Sequence, residues 1–316
     1  MQPLSEDARI RSLRPPKPAV DAWKAHGSVI EPERRPDGTL EQTLTVFLSG
    51  AECPFTCSFC DLWRYTIDGP TPRGALPHQI ADTLATVERP APQRIKLYNA
   101  SNFFDRRAVP PEDLPLIAKL CAPFAGVTVE SHVNTVGATA LGFADMLPGR
   151  LEVAIGLETV HPAAMGTINK RLELGRFERA VEFLRERGID VRVFVLLGAP
   201  YVPATESVEW TVRTVERAAS AGASTVAIIP VRGGNGEIER LRLAGEFIPP
   251  TLTELELVFD QCLPRHDCVV AVDLWDVERL QQCTTCSAAR AERLRRMNLA
   301  QRIEARVACD VCGGVG

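Results

Sequence analysis

Several things are missing from this 316-residue chain. No apolar run approaches the roughly 18 residues that would suggest a membrane span. The opening MQPLSEDARIRSLRPPKP has no apolar core of the kind a secretory leader carries. Both absences lead to the expectation of a cytoplasmic protein that engages no membrane. An excess of one charge is missing too: 36 Lys and Arg stand against 40 Asp and Glu, a net charge of −4. The molecule as a whole therefore has no pull on nucleic acid or anionic lipid, although a local basic strip can still bind phosphates. Internal repeats and low-complexity tracts are absent. What is left, 45% hydrophobic and 24% charged, is the composition of a globular protein. Its length suits one large α/β barrel or two ordinary domains.

Cysteine, by contrast, is plentiful. The ten cysteines lie at 53, 57, 60, 121, 262, 268, 283, 286, 309 and 312. Seven of them fall into tight CxxxCxxC or CxxC groups, which in a reducing compartment favours metal over disulfide. Cys121, alone in LPLIAKLCAPF, reads as a small buried hydrophobe.

From Thr43 onward, short β-branched apolar runs alternate with helical patterns. The runs are TLTVFLS (43–49), RIKLYNA (94–100), GVTVES (126–131), LEVAIGLE (151–158), DVRVFVLLG (190–198) and STVAIIPV (224–231), with CVVAVDLWD (268–276) as a seventh. The segments 177–188 and 207–222 carry apolar residues at helical spacing and end in Gly188 and Gly222, where a C-cap falls. Near-continuous apolar strands between helices predict a parallel sheet covered on its faces. The expected fold is α/β, a partial (β/α)6 TIM-like barrel with a C-terminal Cys-rich extension; a doubly wound sheet is the alternative. The expected divisions are an N-terminal extension over 1–41 with no fold of its own, the barrel over 42–276 and a metal-binding module over 277–316.

The segment GAECPFTCSFCDLW (50–63) directly follows the first of the six strands. Loops after the strands of such a barrel gather at its active end. Three thiolates within eight residues suit three corners of a [4Fe–4S] cubane and leave the fourth iron open to a substrate or cofactor. Phe59 and Trp63 are placed to shield it. A zinc site borrowing a distant fourth ligand is the competing reading.

Here the chain resembles the radical S-adenosylmethionine (SAM) superfamily, in motif order over about residues 42–235. The resemblance implies that Cys53, Cys57 and Cys60 hold the cluster and that SAM chelates the open iron. An electron from the cluster would cleave SAM to methionine and a 5′-deoxyadenosyl radical that abstracts hydrogen from substrate, with a reductant such as flavodoxin or ferredoxin as partner. Tyr98-Asn99-Ala100-Ser101 stands where relatives carry a Gly-Gly-Glu-like motif for SAM's amino group, a departure that leaves Asn99 and Ser101 as the candidates. Glu130 and Ser131 stand where relatives contact the ribose or methionine part; a helix cap by Ser131 with a solvated Glu130 is the alternative. Glu158 ends an apolar strand and should point into the barrel mouth. Ile168-Asn169-Lys170-Arg171 supplies cations for SAM's carboxylate, Arg171 by two parallel hydrogen bonds or else paired with a surface acid. Gly198, in LGAP, would let the backbone approach adenine. The loop Arg232-Gly233-Gly234-Asn235-Gly236 reads as substrate-facing or as a mobile lid. No catalytic residue is marked beyond these.

At the other end, Cys283-x2-Cys286 and Cys309-x2-Cys312 suit four thiolates on zinc or on an auxiliary [4Fe–4S] cluster, with Cys262 and Cys268 near enough in sequence to join or merely to be buried. Between the pairs, residues 288–306 hold six arginines and two acids, with Leu294, Met297 and Ile303 expected to pack inward. Such a run is a solvated face or an RNA-phosphate contact. Within the superfamily the barrel resembles the branch of the elongator catalytic subunit and the methylthiotransferases. KLYNASNFFD (96–105), Val129–Ser131, the INK run (168–170) and LLGAPYVPATE (196–206) are similar to the lyase subunits of archaeosine synthesis. That likeness implies a 7-deazaguanine substrate in tRNA and a partner subunit. Small-molecule or natural-product biosynthesis, or a metal-binding barrel without catalysis, are the competing classes.

Overall fold

The computed structural model describes residues 4–88, 92–265 and 267–312; the first three residues of the expected N-terminal extension and the last four of the C-terminal module lie outside them. One sheet of eight strands has a spatial order equal to its sequence order. Strand β1 (Gly27–Arg34) runs antiparallel to β2 (Leu40–Phe47). Then β3 (Arg94–Tyr98), β4 (Gly126–Glu130), β5 (Arg150–Glu158), β6 (Asp190–Leu197), β7 (Thr225–Pro230) and β8 (Val269–Val272) follow, each parallel to the last. Sequential order without reversal makes the sheet singly wound, curled into an open half-barrel, and not doubly wound. Strands β2 to β7 are the six expected from the sequence, and β8 is the seventh.

Ten helices are described: α1 (Glu6–Leu13), α2 (Ala75–Ala85), α3 (Leu114–Cys121), α4 (Ala138–Met146), α5 (Pro162–Thr167), α6 (Leu174–Arg185), α7 (Ser207–Ser220), α8 (Glu237–Leu243), α9 (Leu252–Cys262) and α10 (Ser287–Ala300). Gly188 and Gly222 take left-handed φ of 70° and 103° just past α6 and α7. The next residue in each case bonds back into the last turn, Ile189 N–H to Leu184 O and Ala223 N–H to Ala218 O, both at 3.1 Å. That is the Schellman closure the two glycines announced.

Residues 1–41 carry more structure than their composition suggested. Besides α1 they form β1, joined to β2 by a turn at Arg35-Pro36-Asp37-Gly38. Gly38 N–H donates to Arg35 O at 2.9 Å, and Asp37 Oδ1 accepts from Thr39 N–H at 2.9 Å. Pro-Asp-Gly is a turn signal with a mechanism. It escapes a search for hydrophobic periodicity because β1 is largely exposed.

The two faces of the half-barrel differ. Outward-facing Ile95, Leu97, Val127, Val129, Val153, Ile155, Val191, Val193 and Val226 are fully buried in one core under the helices. Each such side chain contributes roughly 1.5–3 kcal/mol. The inward-facing positions are polar, linked by buried ion pairs. Lys96 pairs with Glu33, and Arg192 bridges Glu33 and Glu152, each at 3.1 Å. Glu152 also accepts from Thr128 at 2.8 Å and faces Arg35 at 3.4 Å. This network fills the lower barrel with fixed charges and leaves the strand ends for chemistry.

An open sheet has two edges, and α10 packs against both β1 and β8. It substitutes for a strand at β8. Asn298 accepts from Val272 N–H and donates to Val272 O, both at 2.9 Å, and Gln301 does the same for Val270 at 3.0 and 2.9 Å. Edge groups that would otherwise be unpaired are thereby satisfied. The arginines of this segment are not the free basic face that their number suggested. Arg290 pairs with Glu256 and Arg293 with Asp260, each at 2.7 Å, while Arg306 reaches Asp260 at 2.9 Å and Arg296 reaches Glu304 at 2.7 Å. Acids on α9 draw in Arg290, Arg293 and Arg306, while Arg295, Arg296 and Arg302 stay exposed. Leu294 and Met297 are buried as expected, whereas Ile303 is half exposed.

Burial alone would raise the Glu152 carboxyl, but Arg192, Arg35 and Arg94 overcome that and hold it well below the usual carboxylate range. A depressed folded-state value stabilises above the unfolded value of about 4.5 and is lost as pH falls below it. Glu152→Gln should therefore cost about 3–5 kcal/mol at neutral pH, since it strands buried guanidiniums. The difference from wild type in urea midpoint should shrink as the pH drops below 4; a pH-independent difference would count against this network.

Candidate cofactor site at the strand ends

The loop carrying Cys53, Cys57 and Cys60 leaves the carboxyl end of β2 and has little regular structure of its own. It is held by groups from distant loops. Asn102 Nδ2, beyond β3, donates to Cys53 Sγ at 3.4 Å, and its Oδ1 accepts from His132 N–H, beyond β4, at 2.8 Å. Beyond β5, Ile168 O accepts from Ser58 N–H at 3.0 Å. Asn169 Nδ2 there donates to Thr56 O at 3.0 Å. Asn235, beyond β7, donates to Ser58 O. From the N-terminal segment, Asp7 Oδ1 accepts from Thr56 Oγ1 at 2.7 Å and from Asn169 Nδ2 at 2.9 Å. The cysteine loop is thus the point at which four strand ends and α1 meet.

The electrostatics follow from burial. It pushes the Cys57 thiol up to about 12, raises Cys53, and lifts Cys60 well above the ordinary range. Buried thiols like these are neutral unless a cation replaces their protons, so the trio is chemically suited to a metal centre. The nearby cation is Lys170. Its Nζ meets Glu158 Oε1 at 2.8 Å, and that carboxylate keeps it charged against burial. Gly156 makes room for the pair: a Cβ there would run into Glu158 Oε1 and lie 2.7 Å from Lys170 Nζ. Phe59 lies under Lys170, 5.9 Å from ring centroid to Nζ, and packs into a small satellite core with Leu196, Val231 and Phe247. Trp63 is buried beneath Arg14.

Near the backbone of residues 99–101, which Glu130 meets, several side-chain polar atoms lack a partner. Both side-chain atoms of Asn99, Ser101 Oγ and Glu130 Oε1 are sealed from solvent without a hydrogen-bond partner. Burial pushes the Glu130 carboxyl up to about 7, the backbone amides of Ala100, Asn99 and Ser101 opposing it. Buried polar groups are nearly always paired, so a cluster of orphans marks a place for a polar ligand. Non-glycine residues in the left-handed region gather here as well: Ala100 at φ 54°, Glu158 at 67°, Arg171 at 56° and Tyr201 at 65°. Each costs on the order of 1–3 kcal/mol, strain typical of ligand sites.

The remaining sequence candidates fall as follows. Ser131 Oγ is engaged with Thr135 Oγ1 at 2.6 Å. Arg171 turns outward to Asp7 at 2.6 Å, the surface-acid alternative. Adjacent Lys170 takes the inward place. Gly198 has φ 73°, and a Cβ on it would press on the Pro250 ring at 3.0–3.3 Å. The glycine-rich loop after β7 is tied rather than free: Arg232 reaches Asp273 at 2.6 Å, and Glu239 accepts from Gly234 and Gly236 N–H at 2.6 and 2.8 Å. Sequence reading missed Asn102 and His132. His132 stacks on Phe55 at 4.1 Å with its pKa lowered to about 4 by burial. Its Nδ1 accepts from Asn134 N–H, which leaves Nε2 to donate to Lys170 O at 3.1 Å.

At the far end of the chain, Cys283, Cys286, Cys309 and Cys312 converge as a set able to bind metal. Cys262 lies in the main core, with Cys268 packed against it.

Because the Glu130 carboxyl stands above its ordinary 4.5 at about 7, its contribution to stability is complete below 4.5 and disappears as pH rises through 7. Melting temperatures of the metal-free protein should show this decline between pH 5 and 8, and Glu130→Gln should flatten it. An identical slope in the variant would place the titration elsewhere.

No protein-family model matches the chain. It is 25% identical over 286 residues to the archaeosine synthase subunit beta of Methanosarcina acetivorans, covering 84% of this chain and 81% of that protein. Among solved structures, the archaeal Elp3 of Methanocaldococcus infernus, with an N-terminal deletion, matches at a TM-score of 0.49 and 13% identity, over 74% of this chain and 60% of that one. Methylornithine synthase (PylB) matches at 0.46 and 14%, over 81% of each. The three-cysteine loop opening the curled parallel sheet, and an alignment running along most of the chain's length, support a radical SAM assignment.

Proposed function

We propose that this protein is a radical SAM enzyme in which Cys53, Cys57 and Cys60 hold a [4Fe–4S] cluster and the strand ends above them bind SAM. The observation that carries this is the orphaned polar cluster of Asn99, Ser101 and Glu130 beside the tethered cysteine loop. Bound there, the cluster and SAM would supply a 5′-deoxyadenosyl radical for hydrogen abstraction.

The chain's own groups divide the binding work. Glu130, Asn99 and Ser101 offer acceptors and donors to the amino and hydroxyl groups of SAM. Lys170, inward and charged, takes the role of carboxylate partner that the sequence offered to Arg171. Glu158 orients Lys170, and Gly198 admits the adenine edge. The Asn102 and Asn169 tethers keep the loop from yielding as the iron is loaded. The acceptor is a nucleobase of tRNA class, reached with a partner subunit; the support is the alignment with a synthase subunit along 84% of the chain.

The test is anaerobic reconstitution with iron, sulfide, dithionite and SAM. Wild type should release 5′-deoxyadenosine. Cys57→Ala should lose both the barrel iron and the product. Lys170→Met should lower product formation at limiting SAM by more than about tenfold, and Arg171→Ala by less than about threefold. Iron-loaded wild type that makes no 5′-deoxyadenosine would overturn the proposal. Equal losses in the two cation variants would remove Lys170 from its role.

A further inference from the structure

The four C-terminal thiols raise a question that their spacing in the sequence leaves open: one metal ion, or a second cubane. Cys283 and Cys286 lie in the turn that enters α10, and Cys309 and Cys312 come back to them after α10 has ended. All four Sγ atoms lie within 4.8 Å of one another. Cys283 and Cys309 are 4.0 Å apart, and Cys286 and Cys312 are 3.7 Å apart. These separations are far beyond a disulfide bond, which needs ~2.05 Å. Four thiolates around one ion at ~2.3 Å would form a tetrahedron with edges of ~3.8 Å. A cubane gives each thiolate a different iron corner and spreads the sulfurs to ~6 Å. The observed set matches the first arrangement and is too tight for the second.

We infer that Cys283, Cys286, Cys309 and Cys312 bind a single tetrahedral metal ion of zinc's kind, which locks α10 across the open seam of the half-barrel. The surroundings suit the doubly negative centre that four thiolates on a divalent ion produce. Backbone amides of Cys286 and Thr285 point at Cys283 Sγ, and the Arg290 guanidinium stands beside Cys286. Arg290 is itself fixed by Glu256 of α9. From this anchored end, α10 runs across to β8, where Asn298 and Gln301 complete the edge, and to β1, where Arg34 donates to Leu299 O at 3.4 Å. The ion ties the beginning of α10 to the strand of chain that follows its end. The inference is independent of the chemistry proposed for the barrel and stands or falls separately from it.

The full-length Cys53→Ser/Cys57→Ser/Cys60→Ser variant removes the barrel cluster and isolates the C-terminal site. Metal and sulfide analysis of that protein should find one ion per chain and no acid-labile sulfide. Cobalt exchanged into it should give the intense visible bands of tetrahedral thiolate coordination. Four irons with matching sulfide, or no metal at all, would overturn the inference. For the seam, chelation of the same protein should speed amide exchange at Val270 and Val272 by roughly tenfold or more while leaving Val127 and Val153 unchanged. Adding Cys312→Ser should reproduce that pattern without chelator. Metal loss that left the β8 amides as protected as before would contradict the locking role.

Discussion

Strand order constrains everything else in this molecule. Seven parallel strands that follow one another in space as in sequence must all deliver their carboxyl ends to one rim, so every loop that follows a strand competes for the same small region. The cysteine loop wins its center by hydrogen bonds, since it has almost no secondary structure with which to hold itself. Asn102, Asn169 and Asn235 come from three different rim loops, and each spends side-chain amide hydrogens on it. Asparagine suits this task because a short amide can donate and accept at once across a narrow gap. Asn102 does both, to Cys53 and from His132.

The same topology explains why the barrel interior is charged at its base and orphaned at its rim. At the base, Glu33, Glu152, Lys96 and Arg192 pair with one another, while the neighbouring Arg94 keeps two side-chain nitrogens unpaired. At the rim, the side chains of Asn99 and Ser101 and one carboxylate oxygen of Glu130 have no hydrogen-bond partner. An open sheet also leaves two edges, which here fall to α10 and the side-chain amides of Asn298 and Gln301.

Much of this was legible in the sequence, for identifiable reasons. Parallel strands buried on both faces are written as apolar runs, and β2 to β8 stand where those runs are. The CxxxCxxC spacing needs no tertiary context to be noticed. Gly188 and Gly222 marked the ends of α6 and α7 because left-handed backbone is demanded there. What escaped depended on contacts between distant segments. Strand β1 is too exposed to show alternation, though its Pro36-Asp37-Gly38 turn was readable. Lys170 and Arg171 are neighbours of like charge, and only the left-handed backbone at Asn169 and Arg171 sends one inward and the other to Asp7. Arg290 and Arg293 of α10 looked solvated because their acids, Glu256 and Asp260, belong to another helix.

The central claim is that three buried thiolates leave one iron of a cluster open to SAM. Electron paramagnetic resonance of the reconstituted, dithionite-reduced protein, recorded with and without SAM, tests it most directly. The account predicts a reduced four-iron signal whose g-values shift when SAM is added, and which is absent in Cys57→Ala. A signal that SAM leaves unmoved, or a barrel that takes up no iron, would contradict it.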